Sequence, residues 1–220
     1  WDSNAIKEIC SALEKLINPL DENNSVSIIV TTIHFDGTEE KTSLANEIFE
    51  ILDKKTISIE SNISKSDILL TRADSDRIIF DAKVSNPTVL KDITTKLYFM
   101  STKAKTNFTR RMGLHVKEYG SIFVYKNNFR IYPYGEPDYD AFGLNLRKSQ
   151  GTRRFLGHRE LLGWIAIFDK DGRFVEVSSR DNGFIQNEYS IELEQFFKQV
   201  ILRTLEIYVE LTKFGKIDID

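Results

Sequence analysis

Apolar residues recur at helical spacing near both ends of the chain. Near the start, an apolar side chain at every third or fourth position between Ile6 and Ile17 predicts an amphipathic helix, which Pro19 ends. Near the other end, the same spacing predicts a long helix over residues 187–213, with an apolar face broad enough to pack on a sheet. Helices are therefore expected to flank the structure that forms between them.

The middle of the chain consists mostly of predicted strands joined by tight turns. Asn127 and Asn128 separate two runs of aromatic and β-branched residues, and asparagine tolerates the positive φ of a tight hairpin turn. The other predicted elements are strands over 25–33 and 94–102, a short helix over 44–52, and hairpins over 68–83 and 161–177. This order predicts an α+β fold with a mixed or antiparallel sheet, flanking helices and a long C-terminal helix.

Residues 133–160 form a long stretch without clear periodicity. Such loops in compact domains are usually functional or disordered, and the aromatic residues in this one argue against disorder. We expect Tyr132, Tyr134 and Trp164 to pack in the core rather than to stack on nucleic-acid bases. No linker rich in proline, glycine or serine divides the chain, so we expect one domain over residues 1–220.

Composition and charge match an ordinary globular protein. Hydrophobic residues make up 41% of the 220 residues and charged residues 29%, and the net charge is −3. No apolar run is long enough to span a bilayer, so we expect a cytoplasmic protein without membrane contact. Cys10 is the only cysteine, and the three histidines lack metal-ligand spacing. We therefore predict no intrachain disulfide and no metal site.

Several common catalytic motifs are absent from the sequence. It contains no P-loop, no glycine-rich dinucleotide fingerprint and no Gly-x-Ser-x-Gly nucleophile motif. The segment Asp169-Lys170-Asp171-Gly172 resembles the start of a calcium loop but lacks the distal glutamate, so we interpret it as a hairpin turn. These motifs therefore indicate no complete active site.

Basic residues cluster in two stretches, 103–117 and 147–159, despite the negative net charge. They are candidates for contacts to nucleic-acid phosphates if the two stretches share a face. The candidates are Lys103, Lys105, Arg110, Arg111, Arg147, Lys148, Arg153 and Arg154. The alternative interpretation is a solvated basic surface, which such stretches more often form.

Three segments carry a resemblance to a known family. They are Tyr-Lys-Asn-Asn-Phe-Arg-Ile-Tyr-Pro-Tyr-Gly at 125–135, Leu-Gly-His-Arg-Glu-Leu-Leu-Gly at 156–163 and Ser-Ser-Arg-Asp-Asn-Gly-Phe-Ile-Gln-Asn at 178–187. In this spacing they resemble the transducer, or middle, region of bacterial GHKL ATPases, the superfamily of gyrase B, histidine kinases and the heat-shock chaperone. The resemblance is clearest over residues 120–213, and the helix within residues 1–20 resembles the junction with the family's ATP-binding domain.

The resemblance implies that the chain couples ATP binding and hydrolysis in an N-terminal domain to a conformational change. That domain is expected outside this chain, because the family's catalytic-glutamate helix, Asp-x-Gly-x-Gly motif and glycine-rich lid are not found in the sequence. The chain alone is then expected to be inactive and to hold no cofactor. The complete protein is expected to be an ATPase that uses ATP and Mg²⁺, with a homodimer and DNA as further partners that the resemblance suggests.

Within this family a basic residue of the transducer reaches the γ-phosphate in the neighbouring domain, and the resemblance makes Arg180 the candidate. A cation there neutralises charge that develops on the terminal phosphate. The other candidate nucleotide contacts are Arg159, Gln186 and Asn187. The competing interpretation is that Arg180 pairs with Asp181 or Glu188 at the start of the long helix. Two alternatives stay open for the whole chain, a nucleic-acid-binding module and a protein-interaction scaffold.

Overall fold

The computed structural model describes residues 3–23, 25–53, 56–151, 154–177, 183–213 and 215. Its helices are α1 Ser3–Glu14, α2 Ile48–Leu52, α3 Thr102–Met112, α4 Val116–Tyr119, α5 Leu144–Ser149, α6 Glu188–Phe196 and α7 Arg203–Lys213. Its strands are β1 Ile28–Ile33, β2 Glu39–Leu44, β3 Ile57–Ile63, β4 Asp67–Asp74, β5 Arg77–Ser85, β6 Ile93–Phe99, β7 Ile122–Lys126, β8 Phe129–Arg130 and β9 Leu161–Ile167. Short 3₁₀ turns cover Ala141–Gly143 and His158–Glu160, and π-helical turns over Phe197–Leu202 join α6 to α7. Within this described part, no helix has both the length and the apolar character needed to cross a membrane.

A seven-stranded sheet in the order β5-β4-β3-β6-β9-β7-β8 forms the centre of the fold. Neighbouring strands run antiparallel except β7 and β9, which run parallel, and β1 and β2 form a separate antiparallel pair. The predicted α+β class with a mixed sheet is therefore confirmed. Strand β3 lies beyond the predicted elements, although its isoleucines follow the period of two that a strand requires.

The long C-terminal helix packs across one face of the sheet, as its apolar spacing predicts. Residues 188–213 are helical throughout, and Phe197, Ile201 and Leu205 are completely buried. These side chains form one apolar cluster with the core-facing residues of β3, β6 and β9. Because complete burial of such a side chain contributes about 1.5–3 kcal/mol, this packing fixes the helix on the sheet.

Aromatic side chains fill the opposite face of the sheet, beneath α2, α3 and α4. Trp164 of β9 is completely buried and stacks on Phe123 of β7, with 5.9 Å between ring centroids. Phe108 of α3 packs edge-on against Tyr119 of α4, with 5.3 Å between ring centroids. The predicted core position of Trp164 is therefore confirmed.

The hairpin of β7 and β8 has the tight turn that its asparagines predict. Asn127 and Asn128 adopt φ angles of 49° and 67°, the left-handed values that such a turn requires. Beyond the hairpin, Tyr134 is half-buried against the core, as predicted. Tyr132 is 52% exposed, so its predicted core position is wrong.

The second predicted hairpin, over 161–177, does not form. Strand β9 lies where it is predicted, but it pairs with β6 and β7 rather than with the segment that follows it. The reason is Asp169, whose buried carboxylate accepts hydrogen bonds from the backbone N–H groups of Arg173 at 3.0 Å and Phe174 at 2.9 Å. These bonds close a turn that directs the chain away from β9.

The residues that directly follow α1 join this helix to the β7–β8 hairpin. The hydroxyl of Tyr125 donates a hydrogen bond to the carbonyl oxygen of Lys15 at 2.6 Å, and the side-chain amide of Asn18 donates to that of Asn128 at 2.8 Å. A displacement of this helix would therefore act directly on the sheet.

Candidate functional site

Two short stretches, 175–177 and 183–185, lie side by side just before the long helix and form what we term the loop base. They are joined by two backbone hydrogen bonds of 2.9 Å and 2.8 Å. These bonds place Val177 and Gly183, the two residues that flank segment 178–182, next to each other. Arg180, the predicted phosphate sensor, belongs to that segment and lies outside the described residues.

A glycine and aromatic rings hold the loop base against the core. Gly183 has a φ of +63°, and a Cβ atom at this position would lie 2.4 Å from the Tyr134 ring. Phe184 is buried between Tyr134 and Phe174, with ring centroids 5.8 Å and 5.4 Å away. Any side chain at position 183 would therefore strain the backbone and displace the tyrosine. The loop base is thus fixed by packing as well as by hydrogen bonds.

Asn187 caps the long helix directly after the loop base. Its side-chain oxygen accepts a hydrogen bond from the Ser190 N–H at 2.9 Å, and its amide nitrogen donates to the Arg173 carbonyl at 2.8 Å. The Ser190 hydroxyl in turn accepts the Asn187 N–H at 2.9 Å. Both polar ends of the Asn187 side chain are thus used within the fold, whereas the neighbouring Gln186 is exposed to solvent.

A buried ion pair between Arg173 and Asp169 lies next to this cap. The Arg173 side chain is 7% exposed, and its Nε lies 3.3 Å from Oδ1 of Asp169, which is completely buried. Burial alone would raise the pKa of Asp169, but hydrogen bonds from the Phe174 and Arg173 N–H groups and the Arg173 guanidinium outweigh it and lower that pKa. Arg173 also lies 3.8 Å from both Asp92 and Asp171. The Asp169 carboxylate therefore stays ionised at neutral pH, and its hydrogen bonds hold the Arg173 backbone to which the Asn187 amide donates.

A cavity of about 500 Å³ opens beside the loop base. Tyr134, Tyr139 and Phe142 form its aromatic wall, and Gln186 and Glu194 supply polar groups. Burial raises the pKa of Tyr134 to about 12, and burial together with the Glu194 carboxylate raises the pKa of Tyr139. Among the described lining residues, the only charge is thus the negative one of Glu194, so the cavity disfavours a phosphate group.

A buried carboxylate on the long helix engages the start of the second basic stretch. Glu206 has no solvent exposure, and it accepts two hydrogen bonds from the Arg147 guanidinium and one from the Leu156 N–H at 2.9 Å. Arg203 lies near the same carboxylate, with 3.6 Å between Nη1 and Oε2. Arg147 therefore joins α5 to the long helix.

The other residues of the second basic stretch lie in different surroundings. Lys148 forms an ion pair with Glu160. Arg154 is exposed, and Arg153 lies outside the described residues. Arg159 is exposed and lines a cavity formed with α3 and α4, away from the loop base. The structure therefore does not bring Arg159 into one cavity with Gln186 or Asn187.

Helix α3 carries the candidates of the first basic stretch on different sides. Lys103 and Arg110 are exposed, and Lys105 is half-buried and lines the same cavity as Arg159. Arg111 lines another cavity, of about 520 Å³, which contains three acidic residues. These are Glu14, Glu47 and Glu50. The two basic stretches therefore meet only in part.

Sequence reasoning misses three groups that organise these sites, namely Asp169, Arg173 and Glu206. A signal for Glu206 is present, because it follows Leu202 by four positions and precedes Val209 by three, which places it on the apolar face of the helix. A charge on such a face requires a buried partner. The identity of that partner is not readable from the helix itself.

In the described part of the chain, no three or more histidine, cysteine, aspartate or glutamate side chains are arranged to hold a metal ion. No protein-family model matches the chain, and no match was found among curated proteins. Function is therefore inferred from the geometry of the loop base and from the family resemblance of the three sequence segments.

Proposed function

We propose that this chain is the transducer region of a bacterial GHKL-type ATPase. It couples ATP binding and hydrolysis, in an ATP-binding domain outside this chain, to a conformational change. In this proposal Arg180 is the γ-phosphate sensor, the neighbouring domain binds ATP and Mg²⁺, and the complete protein is cytoplasmic. The observation that carries the proposal is the loop base, in which the residues that flank segment 178–182 pair with each other just before the long helix.

The loop base supports the proposal because it has the mechanical property that a transducer requires. Its backbone hydrogen bonds, the burial of Phe184 and the Asn187 cap join the residues that flank the segment to the start of α6. A contact made by Arg180 therefore acts on the long helix. That helix packs on the sheet through completely buried side chains, so its displacement would move the sheet as well.

The cavity beside the loop base is unsuited to hold the nucleotide phosphates. The adjacent cavity has a single charged group among its described lining residues, the Glu194 carboxylate, which repels phosphate. A phosphate contact by Arg180 is then made outside this cavity, as the resemblance implies. A guanidinium placed there stabilises the charge that develops on the terminal phosphate in the transition state.

The test is the substitution Arg180→Ala in the complete ATPase. Because the side chain acts mainly on the transition state, turnover should fall by about 10²-fold while nucleotide affinity changes by less than about threefold. Arg180→Lys should restore part of the turnover, since lysine keeps the charge but lacks the bidentate geometry. Phosphate release measures turnover, and nucleotide titration of the same preparations measures affinity.

Arg154→Ala is the matched control, because Arg154 is exposed and makes no ion pair within the described part of the chain. It should leave turnover unchanged. Wild-type turnover in Arg180→Ala would contradict the proposal, and a loss confined to Arg154→Ala would move the sensor to the basic loop. Binding of ATP by the 220-residue chain alone, at a low-micromolar Kd, would also contradict it.

A further inference from the structure

A cavity of about 330 Å³ lies between the corner of α3 and α4 and the 3₁₀ turn that precedes β9. Side chains from both basic stretches of the sequence line it. The described lining residues are Lys105, Thr109, His115, Val116, Lys117, Glu118 and Arg159. Lys117 and Arg159 are distant in sequence, so only the tertiary structure brings their charges to one place.

The backbone on each side of this basic cavity is held in place. The turn that presents Arg159 is closed by Glu160, whose N–H donates to the Gly157 carbonyl at 3.0 Å and whose carboxylate accepts the Gly157 N–H at 2.9 Å. On the other side, the N–H groups of Glu118 and Tyr119 donate to the His115 carbonyl at 2.9 Å and 3.0 Å and close the helical turn of α4 that contains Lys117. The side chains of Lys117 and Arg159 extend from these fixed positions and are exposed.

The cations of the basic cavity lack compensating partners. Lys105, Lys117 and Arg159 make no ion pair with any described residue. Glu118 is the one acid among the described lining residues, and its carboxylate already accepts the His115 N–H at 3.1 Å. Three cations against one acid leave an excess of positive charge, which a bound anion would neutralise.

We propose that the basic cavity binds the phosphate backbone of a nucleic acid without sequence preference. Lys103 and Arg110 lie exposed outside the cavity and seven positions apart, which places them on one side of the helix. Positive charge on this part of the surface is therefore not confined to the cavity, which favours a polyanion as the ligand. No phenylalanine, tyrosine or tryptophan is among the described lining residues, so the site offers charges for phosphates but no ring for base stacking.

This site differs from the one that the two basic stretches predict as a whole. Arg147 and Lys148 are paired with buried or half-buried glutamates, and Arg111 faces a cavity that contains three glutamates. The proposed phosphate contacts are the three cavity cations Lys105, Lys117 and Arg159, whereas Lys103 and Arg110 add positive charge on another side of α3. This proposal does not depend on the ATPase proposal, since it requires neither Arg180 nor a nucleotide.

The proposal is tested by measuring the anisotropy of a fluorescent DNA duplex of mixed sequence as the 220-residue chain is added. Each phosphate contact contributes about 0.9 to the slope of log affinity against log salt, so the three cavity cations predict a slope of about −2.7. Affinity should therefore fall roughly 40-fold between about 50 mM and about 200 mM KCl. Duplexes of unrelated sequence should bind with equal affinity.

The informative variant is Lys117→Glu/Arg159→Glu, which reverses two charges of the basic cavity. It should lower affinity at least about tenfold at the lower salt and reduce the slope by about 1.8. The matched control is Lys41→Glu/Lys65→Glu, the same charge change at two exposed lysines outside the cavity, with an expected effect below about threefold. Thermal unfolding verifies that each variant is folded, and Lys117→Ala/Arg159→Ala is the milder substitute.

Absence of DNA binding at the lower salt, or binding that does not change with salt, would overturn the proposal. Equal losses in the two charge-reversed pairs would overturn it as well, because the effect would then come from net charge alone. Binding to anionic phospholipid vesicles without binding to DNA would assign the surface to a lipid ligand instead.

Discussion

Replacing Arg147 by methionine leaves a buried carboxylate without its main partner. Glu206 has no solvent exposure, and besides Arg147 it has the Leu156 N–H at 2.9 Å and Arg203 at 3.6 Å. Removing one partner of a buried ion pair typically costs about 3–5 kcal/mol. Because Leu156 and Arg203 stay in place, we expect the lower end of this range, about 3 kcal/mol of the free energy of unfolding.

A double-mutant cycle separates the ion pair from other effects of these substitutions. Glu206→Gln keeps the shape of the side chain but removes the charged acceptor of Arg147. Because the Arg147 side chain is 20% exposed and stays partly solvated, we expect this variant to lose about 2 kcal/mol of the free energy of unfolding. The double variant R147M/E206Q contains neither buried charge and should lose only about 3 kcal/mol, not the sum of about 5 kcal/mol. The expected coupling energy is therefore about 2 kcal/mol.

Urea unfolding, followed by the fluorescence of the buried Trp164, measures these differences. With a denaturant slope of about 3 kcal/mol/M, the loss in Arg147→Met moves the midpoint by about 1 M. Arg154→Met is the control, since Arg154 is exposed and makes no ion pair within the described part of the chain, and it should change stability by less than about 0.5 kcal/mol. The reasoning is refuted if Arg147→Met behaves like this control, or if the two losses are additive.

Two further predictions concern pH and backbone strain. Burial lowers the pKa of His158 below its ordinary value of 6.5. Below that pH the unfolded chain therefore binds a proton more readily than the folded chain does. The free energy of unfolding then falls as the pH is lowered, by at most about 1.4 kcal/mol per pH unit. In urea titrations between about pH 7.5 and about pH 5.5, His158→Gln should lose stability less steeply than the natural chain, and parallel curves would contradict this assignment. Gly183→Ala should lower the free energy of unfolding by at least about 1 kcal/mol more than Gly172→Ala does. Both glycines have positive φ, but only a Cβ at position 183 would contact the Tyr134 ring. Equal urea midpoints of these two variants would show that the ring does not fix the loop base.

The fold could be predicted from the sequence where the signal is local. The long helix follows from apolar spacing, and the turn at Asn127 and Asn128 follows from the tolerance of asparagine for positive φ. Helix α3 escapes such reasoning because only Ala104 and Phe108 are buried on it, a stripe too narrow to separate from a polar loop. The second hairpin was wrongly predicted because a buried aspartate satisfies the N–H groups that a strand ladder would otherwise use.

The candidate sites could be predicted only in part, because charge compensation depends on distant residues. Arg147 and Arg159 belong to one basic stretch, yet Arg147 pairs with the buried carboxylate of Glu206, while Arg159 lines a cavity that also contains Lys117. No local pattern distinguishes these two environments. The role of Arg180 stays a prediction, since that residue lies outside the described part of the chain.

A series of contacts connects the basic cavity to the long helix. The 3₁₀ turn that lines the cavity contains Glu160, which pairs with Lys148 of α5, and the preceding residue, Arg147, pairs with Glu206 of α7. Helix α5 is thus held at two adjacent positions, by an acid beside the cavity and by an acid on the long helix. The long helix begins directly after the loop base, whose two stretches flank the segment that contains Arg180. A nucleic acid in the cavity and a phosphate at Arg180 would then act on the same helix, and if each shifts it, linkage requires that each ligand change the affinity of the other by the same factor.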